Sequence, residues 1–255
     1  MTDAMNGTDS RAAELTTSLA AMRARLARAA EAAGRAVEGI ELLPVTKFFP
    51  ASDVAILWRL GCRAFGESRE QEASAKVAEF DTLVAASPES GSARWNMIGG
   101  IQSNKAKHIV RWADTVHSVY TDKVVSALER ATAAAIADGR KRGMRVFVQI
   151  SLDGDVARGG VDIGDPVAVD RICAQVAESP ALELVGLMAI PPLGADPDSA
   201  FEVLAAEHRR VLHNHPGATE LSAGMSQDLE AAVRHGSTCV RVGTALMGQR
   251  PLTSP

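Results

Sequence analysis

A β-branched run near the end of the chain reads Gly236-Ser237-Thr238-Cys239-Val240-Arg241-Val242-Gly243-Thr244-Ala245. Residues 238–242 are typical of a strand, and Gly243-Thr244 predicts a turn where that strand ends. Backbone N–H groups left free at such a turn can hold a phosphate, although a Gly-Thr pair also occurs in ordinary turns. Arg241 lies inside the predicted strand, where an unpaired charge is costly. We therefore expect its guanidinium to face a ligand or a carboxylate such as Glu67.

The rest of the chain repeats an alternation of strand-like and helix-like segments. The predicted strands are 42–48, 63–66, 94–98, 115–120, 146–151, 184–190, 220–222 and 238–242. The helix-like segments between them are 52–60, 69–80, 104–112, 122–138, 166–178, 198–213 and 227–235. Eight such units over about 250 residues are typical of a (β/α)8 barrel. An open doubly wound sheet is the less favoured alternative, because eight is the number of units that closes a barrel.

The region before the first predicted strand contains one further helix. Residues 11–34 are rich in Ala, Leu, Arg and Glu with helical periodicity, and Gly34 is a plausible helix C-cap. Residues 1–10 are polar and are expected to form a disordered tail. We therefore predict an α/β protein with a single TIM barrel domain over residues 11–255. Within that domain, an extra N-terminal helix precedes the first barrel strand.

The composition argues against several classes of protein. Apolar residues make up 46% of the 255-residue chain, which suffices for a full core, and no apolar run is long enough to span a membrane. The N-terminus lacks the apolar region of a signal peptide, so we expect a cytoplasmic protein. The net charge of −4 gives no reason to expect nucleic-acid binding. The three cysteines and six histidines show no metal-ligand spacing, and we predict no metal site.

One lysine lies in the first predicted strand region, Leu42-Leu43-Pro44-Val45-Thr46-Lys47-Phe48-Phe49. A lysine among apolar residues at a strand end is a candidate Schiff-base former. The alternative is that Lys47 only extends its amine to solvent along apolar neighbours. A phosphate-type turn at one end of the chain and a lone lysine at the other suggest a bound phosphate that carries an aldehyde.

In a barrel the functional face collects the C-terminal ends of the strands, and phosphate sites commonly use the loops after the last two. Here those loops are 222–226 and 243–244. Ser226 precedes a helix-like segment and is first interpreted as its N-cap. That role does not exclude phosphate, because a helix N-terminus can bind an anion together with its capping neighbours.

Six stretches in order carry a resemblance to a known family. They are Pro44-Val45-Thr46-Lys47 and the segments 65–72, 95–105, 186–192, 221–228 and 236–248. Together they resemble the pyridoxal 5′-phosphate (PLP) homeostasis proteins, which are single-domain relatives of the alanine racemase N-terminal barrel. The resemblance extends from residue 42 to residue 250.

The resemblance implies PLP as the cofactor and assigns roles to residues of this chain. Lys47 would form a Schiff base with PLP, and Arg241 would point at its pyridine nitrogen. Ser226, Gly243 and Thr244 would hold the phosphate, with Met225 and Ser222 nearby. Ser68, which we count among the cofactor-binding residues, stands where the family usually has Asn. Asn96 and Gly100 stand where histidines are common.

The resemblance leaves two function classes. The first is a carrier that binds and buffers PLP in the cell without catalysis, with PLP-dependent apo-enzymes as candidate recipients. The second is an amino-acid racemase or a related fold-type III enzyme. Racemases of this kind add a β-domain that supplies a tyrosine base, whereas this chain ends at Pro255 and has one tyrosine, Tyr120. We therefore expect a monomeric carrier that binds neither membranes nor nucleic acid.

Overall fold

Nine parallel strands form the centre of the molecule in the computed structural model, which describes residues 2–85 and 92–249. The strands are β1 Glu41–Pro44, β2 Ala64–Glu67, β3 Arg94–Met97, β4 Thr115–Val119, β5 Met144–Ser151, β6 Val161–Asp162, β7 Leu182–Ala189, β8 Glu220–Ser222 and β9 Cys239–Val242. The helices are α1 Thr2–Ala32, α2 Ala51–Arg59, α3 Glu70–Val84, α4 Ala106–Ile109, α5 Asp122–Ala137, α6 Pro166–Glu178, α7 Pro197–Asn214, α8 Leu229–Arg234 and α9 Thr244–Met247. Three 3-10 turns lie at Val37–Gly39, Ser103–Lys105 and Val156–Arg158.

Hydrogen bonding closes eight of the strands into a ring. Their order is β1-β9-β8-β7-β5-β4-β3-β2, and β6 pairs only with β5. The two ends of this order meet at a parallel bridge between Val45 and Gly66, where the Thr46 N–H donates to the Gly66 carbonyl at 3.0 Å. The predicted (β/α)8 barrel is confirmed, and the open doubly wound sheet is wrong.

Side chains alternate across each strand and separate the buried apolar residues of the described chain into one large and two small clusters. On β5, Val146 and Val148 belong to the large cluster between the barrel and its helices. Phe147, between them in sequence, instead joins Val185 and Met188 in a separate cluster. Buried polar residues also lie on the strands, among them Asn96, His117, Ser222 and Arg241. These polar side chains meet in one network, which is described below.

The N-terminal helix differs from its predicted limits. The prediction placed a disordered tail at residues 1–10, whereas α1 begins at Thr2. Extending an existing helix adds one hydrogen bond for each residue fixed, so a polar stretch can join a helix that is anchored elsewhere. The anchor is an apolar stripe at helical spacing, formed by Leu15, Leu19, Met22 and Leu26, all of which are buried. Helix α1 contacts α2, α8 and α9.

Two short elements were not predicted, and one predicted helix is divided. Strand β6 spans two residues and helix α9 spans four, which is too short for a periodic pattern to be detected. The predicted helix 104–112 is the 3-10 turn Ser103–Lys105 followed by the single turn of α4. Among the helices that the structure describes, none combines the length and apolar character that crossing a membrane would require.

Gly186, on strand β7, allows a test of the pairing between β7 and β8. A Cβ added at Gly186 would lie 1.6 Å from the Glu220 carbonyl oxygen on the paired strand β8. We therefore expect Gly186→Ala to destabilise the protein by about 3 kcal/mol or more, because the two strands would have to separate. The melting temperature should fall by roughly 6 °C or more.

The matched control is Gly217→Ala, since a Cβ at Gly217 meets no atom within 4 Å. This control should change the melting temperature by no more than about 2 °C. Equal melting temperatures for Gly186→Ala and wild type would contradict the observed pairing of β7 with β8.

Candidate functional site

The seven residues proposed from the sequence lie at one rim of the barrel. They follow or end four strands that are consecutive in the ring, β2, β1, β9 and β8. The residues are Lys47, Ser68, Met225, Ser226, Arg241, Gly243 and Thr244. The barrel closure therefore places residues from the beginning and the end of the chain side by side.

Lys47 lies in a turn three residues after β1 and is partly exposed. Its Nζ is 5.7 Å from the ring centroid of Phe48. Phe48 has a φ of +70°, a left-handed conformation that is rare for a bulky residue and is often found at functional sites. Lys47 is thus held by a constrained turn, and its amine is beside an aromatic ring at the rim.

A buried ion pair that the sequence did not predict anchors this turn. Lys76 Nζ on α3 lies 2.7 Å from Glu67 Oε1 and donates to the Thr46 carbonyl at 2.9 Å. The Thr46 hydroxyl also donates to Glu67 Oε1, at 2.6 Å. The residue before Lys47 is therefore fixed through both its backbone and its side chain. Burial raises the pKa of Glu67, and the charge of Lys76 opposes that shift.

Two segments, which we call the cradle loops, lie beside Lys47: residues 224–228 after β8 and residues 243–247 after β9. The Val45 N–H donates to the Val242 carbonyl at 2.8 Å, which places the second cradle loop against the end of β1. The Arg241 N–H donates to the Gly224 carbonyl at 2.9 Å and joins the first cradle loop to β9. Lys47, Met225, Ser226, Gly243 and Thr244 are thus brought together.

The first cradle loop requires glycine at its start. Gly224 has a φ of +90°, and a Cβ there would lie 2.4 Å from the Ala232 Cβ. Asp228 Oδ1 accepts the Met225 N–H at 2.5 Å and holds the loop in a tight turn. The prediction of Ser226 as a helix N-cap is wrong, because α8 begins at Leu229 and its N-cap is Asp228.

Arg241 is buried and lies on the strand that leads into the second cradle loop. Its Nη1 donates to Ser222 Oγ at 2.6 Å and its Nη2 donates to the Ala189 carbonyl at 3.0 Å. The alternative pairing with Glu67 is wrong, because that carboxylate binds Lys76 and Thr46. Burial lowers the pKa of Arg241 from its usual value. Arg241 forms no ion pair with a carboxylate within the described chain, so neutral acceptors satisfy its two donor contacts.

A chain of hydrogen bonds continues from Arg241 across the barrel. Ser222 Oγ lies 2.9 Å from His117 Nδ1, and His117 Nε2 lies 3.0 Å from Asn96 Oδ1. The Asn96 amide nitrogen donates to the Phe65 carbonyl at 3.3 Å. Because Ser222 Oγ accepts from Arg241, its own proton can go to His117 Nδ1. The network therefore assigns a neutral imidazole with its proton on Nε2.

His117 is the site residue that sequence reasoning missed. Burial lowers its pKa well below the ordinary value of 6.5, and the charges of Arg241 and Arg145 lower it further. Its ring packs on Phe147 with 4.4 Å between centroids. The available signal was one histidine in the predicted strand 115–120, where Thr115 and Ser118 are also polar. Its register against Ser222 and Asn96 could not be read from that signal.

Ser68 and Gly100 lie on the part of the rim that is farther from the cradle loops. Both line a cleft of about 430 Å³ together with Gln102 and Lys105. A Cβ on Gly99 would lie 2.0 Å from the Ser68 carbonyl oxygen, so the loops after β2 and β3 touch here. Within residues 2–85 and 92–249, no three His, Cys, Asp or Glu side chains gather as a metal site would need.

Comparison with known proteins agrees with this geometry. The family described as "Alanine racemase, N-terminal domain" matches residues 17–251. A pyridoxal phosphate homeostasis protein of Mycobacterium tuberculosis (strain ATCC 25618 / H37Rv) is 64% identical over 248 residues, covering 96% of each chain. The chain belongs to the pyridoxal phosphate homeostasis protein family. The family resemblance predicted from the six sequence stretches is thereby confirmed.

Two solved structures are also similar to this chain. PipY of Synechococcus elongatus PCC7942, solved with PLP bound, is 30% identical with a TM-score of 0.76, over 92% of this chain and all of its own. Alanine racemase from Corynebacterium glutamicum is 14% identical with a TM-score of 0.63, over 94% of this chain and 60% of its own. The racemase comparison shows a shared barrel fold.

The neutral state of His117 predicts how stability depends on pH. In the unfolded chain this histidine binds a proton below pH 6.5, whereas in the native network its pKa is far lower. The unfolded state therefore binds more protons in that range, and stability falls as the pH is lowered from 6.5 toward the native pKa. The loss should reach about 1.4 kcal/mol for each pH unit.

Urea unfolding at several pH values between about 5 and 7.5 measures this slope, with His117→Gln as the comparison. Glutamine keeps a donor and an acceptor but does not titrate. The wild type should lose stability with acid more steeply than the variant. Parallel pH profiles for the two proteins would contradict a neutral, buried His117.

Proposed function

We propose that this chain binds PLP at the rim and serves as a carrier and buffer of PLP in the cell, with no catalysis of its own. The observation that supports this function is the convergence, at four consecutive strand ends, of a lysine amine, a buried guanidinium and two hydrogen-bonding loops. The family name and the PLP-bound structure of PipY support the same ligand.

The chemistry of the donor set fits the three polar parts of PLP. When bound, PLP supplies an aldehyde carbon that an amine attacks and a pyridine ring that can accept electrons. Lys47 would hold the aldehyde end, and Arg241 would face the ring nitrogen. The Ser226 hydroxyl and the backbone N–H groups of Gly243 and Thr244 would bind the phosphate. Met225, of which 37% is exposed, and Ser68 would border the cofactor.

Arg241 gives a physical reason for keeping the ring nitrogen unprotonated. A guanidinium is always charged and only donates hydrogen bonds, so it disfavours a second positive charge beside it. Ser222 and the Ala189 carbonyl hold two of its nitrogens, which fixes the direction of the group. A protonated ring is the stronger electron acceptor, so this arrangement suits holding the cofactor more than using it.

The absence of catalysis is supported by the position of the one tyrosine. A racemase that uses two bases needs an acid or base on each face of the substrate carbon. Tyr120 follows β4, which is three strands from β1 in the ring. Its ring lies so close to Gly159 that an added Cβ there would be 3.1 Å from it. Tyr120 is therefore poorly placed to act opposite Lys47, which favours the carrier over the racemase.

Three finer parts of the proposal rest on the sequence and the family. We propose that PLP-dependent apo-enzymes receive the cofactor, that the chain acts as a monomer, and that it works in the cytoplasm. Residues 11–255 would form the single PLP-binding domain. An open rim is compatible with handing the cofactor to another protein.

Lys47 gives the direct test of the proposed function. Treating the PLP-saturated protein with borohydride should fix the cofactor to Lys47, because its amine would hold the aldehyde carbon. Peptide mapping by mass spectrometry locates the adduct. Lys47→Ala should lose the fixed adduct while keeping weaker, reversible binding through the phosphate contacts.

Lys105→Ala is the matched control, since Lys105 lies on the same rim and pairs with Glu70 at 3.4 Å. This variant should keep the adduct. An adduct mapped to another residue, or an unchanged yield in Lys47→Ala, would refute the assignment. Alanine racemisation faster than that of free PLP, and lost in Lys47→Ala, would refute the non-catalytic part of the proposal.

Arg241 makes a second, spectroscopic prediction. In the wild type, nitrogen-15 NMR of labelled PLP should show an unprotonated ring nitrogen at pH 7. Arg241→Glu should shift that signal toward the protonated form, because a carboxylate stabilises the proton. Arg241→Gln removes the charge without adding a carboxylate and should shift the signal less. Identical nitrogen signals in wild type and Arg241→Glu, with binding retained, would place Arg241 away from the ring.

A further inference from the structure

Helix α1 donates hydrogen bonds to a backbone carbonyl in each of the two cradle loops. Arg25 Nη1 donates to the Ser226 carbonyl at 2.6 Å. Arg11 Nη2 donates to the Met247 carbonyl at 2.8 Å. The two arginines are fourteen positions apart, close to four helical turns, so they lie on nearly the same face of α1. The helix that packs outside the barrel is thus also attached to the loops at its rim.

Each arginine is held in place by a carboxylate. Arg25 Nε and Nη2 donate to the two carboxylate oxygens of Glu230 on α8, both at 2.6 Å. Arg11 Nε and Nη2 donate to Asp53 Oδ2 on α2, at 3.0 and 2.7 Å. The hydrogen bond from Arg25 lowers the pKa of Glu230, so this pair stays ionised at neutral pH. The charge of Arg25 is therefore balanced before any phosphate arrives.

The carbonyl that Arg25 binds belongs to the residue proposed to hold the phosphate with its hydroxyl. In a trans peptide the C=O and the next N–H point in opposite directions. With the Ser226 carbonyl turned toward α1, the Gln227 N–H points away from α1. A reversed peptide would turn the carbonyl oxygen away from α1 and the N–H group toward it. By binding the carbonyl, Arg25 therefore favours the orientation in which the N–H end of the Ser226–Gln227 peptide faces away from α1.

The neighbouring peptide is fixed independently. The Met225 N–H donates to Asp228, and Gly224 has no room for a side chain. The Asp228 N–H donates to the Met225 carbonyl at 3.4 Å and closes the turn around the Ser226–Gln227 peptide. Among the described hydrogen bonds, the Ser226 carbonyl itself accepts the one from Arg25. The backbone bond closes the turn but leaves two orientations open to its central peptide, and Arg25 contacts the carbonyl of that peptide.

We propose that Arg25 is a positioning residue that makes the site selective for phosphorylated ligands. It keeps the Ser226 carbonyl turned away from the ligand, so that hydroxyl and N–H donors, and no carbonyl oxygen, meet the phosphate. Arg11 attaches the last residue of α9, in the second cradle loop, to α1. This inference rests on the proposed function, because it assumes that the cradle loops receive the phosphate of PLP.

The test compares PLP with pyridoxal, which carries the same aldehyde and ring but no phosphate. Binding of both ligands is measured by titration for the wild type and for Arg25→Ala. Loss of a well-oriented, charge-assisted hydrogen bond should weaken PLP binding about tenfold. Pyridoxal binding should stay within about twofold of the wild-type value, so the ratio of the two affinities falls.

Arg23→Ala is the matched control. Arg23 lies on the same helix and also donates to a backbone carbonyl, that of Leu60 at 3.2 Å, which is outside the cradle loops. This variant should leave the affinity ratio unchanged. A fall in the ratio as large as that in Arg25→Ala would mean that any loosening of α1 has the same effect, and would overturn the proposal. Equal weakening of PLP and pyridoxal in Arg25→Ala would also overturn it.

Arg25→Lys separates geometry from charge and serves also if Arg25→Ala folds poorly. Lysine keeps the positive charge but cannot make the three-point contact with Glu230 and the Ser226 carbonyl. We expect Arg25→Lys to lose selectivity as well. A wild-type affinity ratio in Arg25→Lys would show that charge suffices and would overturn the positioning role. A wild type that itself does not prefer PLP to pyridoxal would instead refute the proposed phosphate site.

Discussion

The pairing of β1 with β9 is the interaction on which the site depends. Lys47 follows the first strand and Gly243 follows the last, almost 200 positions later in the chain. The hydrogen bond from the Val45 N–H to the Val242 carbonyl makes them neighbours. The bridge from Val45 to Gly66 then adds β2 and closes the ring. In an open sheet these strand ends would be edges, and the amine and the cradle loops would lie apart.

Local sequence patterns were sufficient for the fold and for the residues at the rim. The run of β-branched residues before Gly243 and the apolar strand before Lys47 each predicted a strand that the structure contains. The number of such units then predicted closure. Because a closed parallel barrel collects its strand ends on one face, residues proposed separately had to meet there. The prediction missed short elements such as β6, because so few residues show no periodic pattern.

The polar contacts that organise the site could not be predicted in the same way. Ser222, His117 and Asn96 form one network only because the barrel closes with a particular register, which no local pattern records. The Lys76–Glu67 pair joins a helix to a strand end through Thr46. The partner of Arg25 is a backbone carbonyl, and because every residue has one, the sequence does not show which carbonyl will be bound. Arginines on an amphipathic helix are ordinarily interpreted as a solvated face, and on α1 that interpretation hides two loop contacts.

The distribution of charge in the barrel links these features. Arg241 is buried without a carboxylate hydrogen-bonded to it in the described chain, and the groups that follow it in the network, Ser222, His117 and Asn96, are all neutral. A carboxylate in this position would satisfy the guanidinium and would draw a proton onto a nearby ring nitrogen. The neutral network gives Arg241 no direct ion pair among the described residues, although the charge of Asp228 opposes the lowering of its pKa by burial. In the proposed complex, a dianionic phosphate ester with an unprotonated ring would add further negative charge near Arg241. In that proposal, the charge of Arg241 that disfavours a protonated ring would also favour retention of the cofactor.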